Sequence, residues 1–444
     1  MKDNYFVIKH GGEVLDAKSY FDSGQGSDNF RLFIQREALR EGVNRGSEGK
    51  PAYLNIAKKF GFNWEPNADI GILQYDFKAN LMRRLVQDYA RILVKNVGLP
   101  MYEVNGSNIF NMSHPVVAAY AKLYGDRLYQ LKSGKNQMVM SYDASYPQFN
   151  LAGQHALSYK NLPFAHFSIS DCYRQEQRGE CMLLYRQRRF YMPDIHPYFK
   201  DVAEAFEWYP RMQEQILAAA SEVKRDYEMI IEVSSPQNWK RYRAEICELA
   251  ASFGRDVLVG VLNDKADRYW IINVDYKIID ALGQPREIAC IQIDVGNAPR
   301  LGIEYLGEDG KNHHPVIIHS AIPGGIERYL YMALDGFERG LPLWLYPVQI
   351  RLIPVNDQYV EVCERLVQEH QLPVRIEIDD RNESVGKKVK QAHEDLVPFS
   401  IVIGEKELNG SDELEAALIA VQIASAAKPF IPLDWPQKLG QQIR

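Results

Sequence analysis

Apolar residues recur at Leu81, Leu85, Tyr89, Leu93 and Val94 within NLMRRLVQDYARILVKNVG (80–98), close to a 3.6-residue period, and the stretch ends at Gly98. This spacing predicts an amphipathic helix. Strand-like runs follow: FAHFSISDCYR, CMLLYRQRRFYM, RYWIINVDYKIID, REIACIQIDV and HPVIIHS. Among them, DVAEAFEWYPRMQEQILAAASEVKRDYEMIIEV (201–233) reads as a long helical stretch, which Pro210 is expected to end or kink. The mixture predicts an α+β domain over 66–337.

A different rhythm begins after the linker ERGLPLWLYP (338–347). The runs VQIRLIPV, QYVEVCERLVQEHQ, VRIEID, ESVGKKVKQAHEDL and FSIVIG alternate between strand and helix patterns. Alternation of this kind implies βαβ units and a largely parallel sheet, hence an α/β domain over 345–444. A helix over 412–427 follows, and the Pro-rich tail KPFIPLDWPQKLGQQIR is expected to lie along the surface. Residues 1–65 are mixed and polar, with GQGSD (24–28) and RGSEGKP (45–51) as loop punctuation, and read as a short N-terminal extension.

Composition narrows the class. At 444 residues the chain is too long for one ordinary core. Its 46% hydrophobic and 25% charged content is that of a soluble globular protein. No apolar run is long enough to span a membrane, and MKDNYFVIKHGGEV has no apolar core of a secretory signal. Five scattered cysteines without a CxxC pair fit reduced thiols in the cytoplasm. The net charge of −6 exerts no global pull on nucleic acid, so any polyanion must be held by local basic surfaces.

One such surface is DCYRQEQRGECMLLYRQRRFYMPDIH (171–196), with Arg174, Arg178, Arg186, Arg188 and Arg189. Guanidinium forks suit phosphate oxygens. If both runs are strands, Arg174 shares a face with Glu176, and Arg186 with Arg188. A guanidinium beside a carboxylate suits a phosphate and an exocyclic amine together, which describes ATP. The alternative is a solvated antiparallel hairpin laced with cross-strand salt bridges.

Order along the chain favours the first. Tyr173-Arg174-Gln175-Glu176, a loop with Gly179, then Arg186 and Phe190 resembles motif 2 of class II aminoacyl-tRNA synthetases, and Gly324-Gly325-Ile326-Glu327-Arg328 resembles their motif 3. LPFAHFSISDCYRQEQRGE, RRFYMPDIH, CIQIDVGN, HPVIIHSAIPGGIER, LPLWLYPVQIRLIPV and VPFSIVIG fall in the order of the threonyl branch, in its archaeal form, from about Glu65 to the C-terminus. The resemblance implies an antiparallel-sheet catalytic domain followed by an α/β anticodon-binding domain. It implies ATP with Mg²⁺, activation of threonine as an adenylate, and transfer to a tRNA. By similarity Arg174 meets the α-phosphate, Glu176 the adenine amino group, Phe190 the adenine face, and Arg186 and Arg328 the outer phosphates. Arg174 and Arg328 are thus the expected catalytic residues.

The family holds a Zn²⁺ ion with one Cys and two His. The histidines correspond to His196 and His319, and Asp194 and Gln292 fall where the family contacts the amino acid. The cysteine position holds Ser145, a poor zinc ligand. Three outcomes stay open: no zinc, weak zinc through two His with water or Asp143, or replacement by Cys290, which shares a strand face with Gln292. Asn273 stands where the family commonly has lysine, Trp270 at an adjacent pocket aromatic, and Asp143 near the ligand position. These changes keep an alternative in view: a paralogue with altered amino-acid specificity.

LPMYEVNGSNIF lacks the proline expected of motif 1, on which the implied homodimer is built. Residues 1–65 are too short for the large editing region of many relatives. Discrimination against serine is then expected to be poor, which calls for a separate trans-editing protein. In the last domain Asn356, Arg381, Asn382, Glu383, Lys387, Lys388 and Lys390 fall where the family meets the anticodon, with amides and carboxylates reading bases and lysines meeting phosphate.

Overall fold

The computed structural model describes residues 4–41, 51–263, 266, 268–370, 373–408 and 410–443; most of the RGSEGKP loop lies outside them. The chain divides into two compact units, one of Met1–Pro51, Pro66–Ile72 and Leu93–Asp335, the other of Ala52–Glu65, Leu73–Ile92 and Gly336–Arg444. No helix among the described residues is long and apolar enough to cross a membrane.

The first unit is built on a ten-stranded sheet. From edge to edge its strands are Val14–Asp16, Asn4–Ile8, Val257–Val261, Glu228–Val233, Trp270–Ile279, Pro285–Asp294, Val316–Ala321, Arg189–Phe199, Phe164–Tyr173 and Met101–Glu103. The six strands from 228–233 to 164–173 pair antiparallel throughout. This is the antiparallel α+β core that the strand-like runs imply. Several strands are buried along their whole length, as in VLVGV and VIIHSA, because helices cover the sheet. Residues 4–16 extend one edge, where Tyr20, Phe30, Phe33 and Ile34 pack with Val7, Ile230 and Leu258.

Two expectations fail here. CMLLYRQRRFYM is not one strand. Only Arg189 onward joins the sheet, and the preceding residues turn back through a Met182–Arg186 bridge with Leu184 at φ +64°. The apolar Leu183 and Leu184 are buried in that turn, which a regular hairpin could not achieve. Arg186 and Arg188 therefore share no strand face. Pro210 does not interrupt its helix, which runs unbroken over Val202–Glu222. Pro210 is exposed, while Ala205, Tyr209, Met212 and Ile216 bury the opposite side and hold the helix across the missing N–H.

In the second unit the strands Ile376–Ile378, Ile350–Pro354 and Phe399–Ile403 pair in parallel, in that order. Ile350, Leu352, Ile403, Leu414 and Leu418 form the core between sheet and helices. The helix read at 80–98 spans Phe77–Asn96; its residues up to Ile92 belong to this unit and bury Leu81, Leu85 and Tyr89, while Leu93 and Val94, also buried, count with the first unit, and the chain leaves the helix at Gly98 with φ +84°. The tail does lie along the surface, mostly exposed, and is pinned at a few points. Lys438 bridges to Ile378 in parallel, and Ile431 and Leu439 are buried.

Candidate active site

Sheet register brings the candidate residues together. Gln292 lies opposite His319 and Asp194 opposite Ala321. Asp194 and His196, two apart on one strand, share a face. Arg174, Asp194, Gln292, His319 and Arg328 line one cavity of about 140 Å³, with Ser145 and Cys290 in the same wall.

At the arginine end of the cavity, Arg174 donates Nε to the Tyr142 carbonyl at 2.9 Å, and its guanidinium sits 5.2 Å from the Phe190 ring centre. Arg328 Nη1 meets Glu287 Oε1 at 2.8 Å and donates to the Glu287 carbonyl at 3.2 Å. Against the upward pull of burial, Arg328 and Lys277 hold the Glu287 carboxyl below its usual range. Gly324 packs so closely on the neighbouring strand that a Cβ would stand 2.3 Å from the Ile288 carbonyl oxygen, and its φ is +111°. Glu327 accepts the Tyr191 amide at 3.0 Å and so ties the following helix to the 189–199 strand.

Glu176 is buried, in a tight turn where its amide bonds the Arg174 carbonyl at 2.8 Å. Its carboxylate lies 3.3 Å from Arg127 Nη1 and 3.5 Å from Arg186 Nε. The five arginines therefore do not serve one ligand. Arg189 makes two 3.0 Å bonds to Asp171, and Arg188 meets the Glu176 carbonyl at 2.8 Å and Asp69 at 3.3 Å. Arg178 is exposed in a 3₁₀ turn.

At the other end, Ser145 opens the helix Ser145–Ala152. Its Oγ lies 3.0 Å from His196 Nε2 and 3.4 Å from His319 Nδ1. Gln148, one helical turn on, donates its amide to Ser168 and to the Asp194 carbonyl, so its Oε1 accepts from His196 Nδ1 at 2.9 Å. Asp294 accepts from His319 Nε2 at 2.7 Å. Both tautomers are thereby fixed, and each histidine turns a lone pair toward Ser145. Burial lowers the His196 pKa well below its ordinary value and raises that of Asp194 to about 7.

These donors do not fit the family's zinc. A hydroxyl replaces the thiolate, and among the described residues no group of three or more His, Cys, Asp or Glu converges for a metal. Cys290 faces the cavity with Gln292, as strand alternation requires, but burial and the nearby Glu287 push its thiol well up. Trp270 does not line the cavity; Tyr269 does, and donates to Gln292 Oε1 at 2.8 Å. Asp143 is engaged by Tyr120 and Tyr124 at 2.8 and 2.7 Å and by the Tyr146 amide at 3.1 Å. Asn273 accepts from Gln292 at 2.9 Å.

Sequence reasoning missed Gln148, Asp294, Tyr269, Arg127 and Glu287. Two signals were available: Gln148 is three residues from Ser145 on a helix, and Asp294 lies in CIQIDVGN.

In the second unit Asn356 and Asn382 are exposed just beyond the C-terminal ends of two parallel strands, with Glu383 and Lys390 exposed nearby. Arg381 is bound to Asp379, Nε to Oδ1 at 2.6 Å, and Lys387 to Glu383 at 2.6 Å. Lys388, unlike the expectation of an RNA contact, is buried, with Nζ donating to the Pro354 carbonyl at 3.2 Å.

Residues 140–337 match the tRNA synthetase class II core domain (G, H, P, S and T), and 349–416 the Anticodon binding domain. Among solved structures, a Cryptosporidium parvum threonyl-tRNA synthetase RNA-binding domain superimposes with TM-score 0.69 at 20% identity, covering 80% of this chain and 90% of that one. Giardia lamblia prolyl-tRNA synthetase gives 0.62 at 15%, over 84% and 80%. These share the fold. Closer in sequence is the threonine–tRNA ligase of Nanoarchaeum equitans, 40% identical over 426 residues, 92% of this chain and 67% of that protein. That of Pyrobaculum neutrophilum is 40% identical over 456 residues, covering 100% and 72%. The comparisons do not favour the alternative of a paralogue with altered specificity. Fold, motif order and identity agree: the chain belongs to the threonine–tRNA ligase family of class II aminoacyl-tRNA synthetases.

Proposed function

We propose that this chain activates threonine with MgATP and ligates it to tRNA(Thr), the activity for which its relatives are named. One observation carries the reading: Arg174 and Arg328 line the same small cavity as Asp194 and Gln292, so phosphate-binding cations meet the amino-acid contacts at one point. A threonine carboxylate oxygen attacks the α-phosphorus in line, and pyrophosphate leaves. The terminal ribose hydroxyl of the tRNA then attacks the acyl carbon, and AMP leaves.

Arg174 takes the α-phosphate and offsets the charge that develops there. Arg328 exchanges Glu287 for an outer phosphate, and Arg186 takes the other. Glu176 accepts from the adenine amino group, and Phe190 supports the ring. Asp194 receives the threonine ammonium, with Gln292 beside it. Catalysis is positioning and charge stabilisation.

Asn356, Asn382, Glu383 and Lys390 face the anticodon, at the strand ends where open parallel sheets gather ligands. Arg381 contributes through the charge shared with Asp379. Exposed Tyr102, Ile109 and Val116 support a homodimer, which sedimentation tests. A pocket that reads a hydroxyl discriminates weakly against serine, which supports a separate trans-editing partner. Five free thiols support a cytoplasmic location.

The test is pyrophosphate exchange with threonine, then charging of tRNA(Thr). Threonine-dependent exchange, reduced at least roughly 100-fold by Arg174→Ala, is the expected result. A folded protein that exchanges with no amino acid overturns the reading.

A further inference from the structure

We propose that the amino-acid end of this cavity works without a metal. The Ser145 hydroxyl and the lone pairs of His196 and His319 form a hydrogen-bond reader for the polar head of a β-hydroxy amino acid. The inference rests on the function proposed above and names the chemistry of that same site.

A count of protons carries it. Gln148 holds the proton of His196 on Nδ1, and Asp294 holds that of His319 on Nε2. A neutral ring held in this way has no proton left for its inner nitrogen. Those nitrogens, His196 Nε2 and His319 Nδ1, face one hydroxyl at 3.0 and 3.4 Å. Asp194 is a further acceptor for that hydroxyl, its Oδ2 3.6 Å from His196 Nε2. One proton on Ser145 thus serves two buried lone pairs, His196 Nε2 and His319 Nδ1. Such acceptors are costly to leave unmet.

The missing partner must bring several N–H or O–H donors on a short frame. A β-hydroxy amino acid does so: three donors on the ammonium and one on the hydroxyl. The ammonium satisfies Asp194, and the substrate hydroxyl satisfies the imidazole to which Ser145 does not give its single proton. An isosteric side chain with a methyl in place of the hydroxyl leaves that imidazole unpaired, so a polar site of this kind rejects it.

A substrate-binding zinc takes three protein ligands and keeps a fourth position open; Asp194 Oδ2 lies 3.6 Å from His196 Nε2, yet among the described residues no group of three His, Cys, Asp or Glu is arranged to hold a metal ion. Ser145 already occupies the point where their lone pairs meet. The hydroxyl thus acts as a ligand to the substrate rather than as a ligand to a metal.

The experiment is calorimetric binding of threonine and of valine to the full chain after dialysis against a strong zinc chelator, with residual zinc measured by mass spectrometry. Threonine is expected to bind as tightly with less than one-tenth equivalent of zinc as before dialysis. Ser145→Ala is expected to weaken threonine about tenfold or more, with valine and MgATP binding unchanged. One tightly bound zinc per chain whose removal abolishes threonine binding overturns the inference, as does equal threonine affinity in Ser145→Ala. Threonine bound without zinc but never activated leaves this inference standing and overturns only the activity reading. No threonine binding under any condition overturns both.

Discussion

His319 gives its Nε2 proton to Asp294 across 2.7 Å, and Asp294 is itself fully buried with the Gly296 and Asn297 amides on its other oxygen. The carboxylate therefore decides which nitrogen of His319 faces the cavity. In Asp294→Asn the retained oxygen still accepts both backbone amides, while the new NH₂ confronts the Nε2 proton and the Asn297 side-chain amide, which donates to the replaced oxygen at 2.8 Å. The imidazole must then move its proton to Nδ1, toward Ser145. Threonine binding is expected to weaken roughly 10- to 100-fold, the cost of about 1–3 kcal/mol for one mismatched buried donor. MgATP binding stays unchanged. Calorimetry on the two ligands separates this from general damage.

Arg328 is held by Glu287 at 2.8 Å, and the proposed function has a phosphate displace that carboxylate. Arg328→Ala is expected to lower the exchange rate by roughly 100- to 1000-fold, the range for loss of one preorganised charge at a transition state. Steady-state exchange kinetics measure this; an unchanged rate would remove Arg328 from the chemistry.

Asn356 lies outside the catalytic unit, exposed, its Oδ1 accepting from the Gln358 amide at 3.0 Å. Asn356→Ala is expected to reduce kcat/KM for tRNA charging by about 1–3 kcal/mol, the usual value of a base contact, and to leave threonine-dependent exchange intact. Equal losses in both assays would place its effect on stability instead.

Glu228 gives a pH signature. Burial pushes its carboxyl up to about 7 from an ordinary value of 4.5, and Arg255 only partly opposes the shift. The folded state therefore holds the proton more tightly than the unfolded one. The resulting stability is fully present below about pH 4.5 and is lost as pH rises through 7. Glu228→Gln, which mimics the protonated form, is expected to stabilise the protein on the order of 2 kcal/mol at pH 8 and hardly at all at pH 4.5. Thermal unfolding across that range checks the sign.

Periodicity carried the elements whose environment is uniform along their length. The Phe77–Asn96 helix and the parallel strands of the second unit were legible because each has one buried stripe or two buried faces. The misreadings fall where a local feature outweighed the pattern. Leu183 and Leu184 belong to a buried turn rather than a strand. Pro210 lies on the wet side of a helix that packing sustains. At the cavity the neighbour Tyr269 takes the place read for Trp270. The site was legible as a set of residue types in order, since Arg174, Asp194, Gln292, His319 and Arg328 do share a cavity. Its protonation was not legible, because tautomers are set by Gln148 and Asp294, whose partners are distant in sequence.

The interleaving of the two units bears on how such a protein can be rearranged. The second unit draws on residues 52–65 and 73–92 as well as on 336–444. Within it Tyr89 packs on Trp344 with ring centres 4.9 Å apart, Phe77 on Trp435 at 4.8 Å, and Arg84 meets Asp434 at 2.9 Å. A single crossover near residue 336 would carry away the parallel sheet and leave behind the helix that covers these side chains. The tRNA-reading half is thus no cassette. Grafting it onto another synthetase requires exchanging three separate segments together, which ties its inheritance to that of the catalytic half.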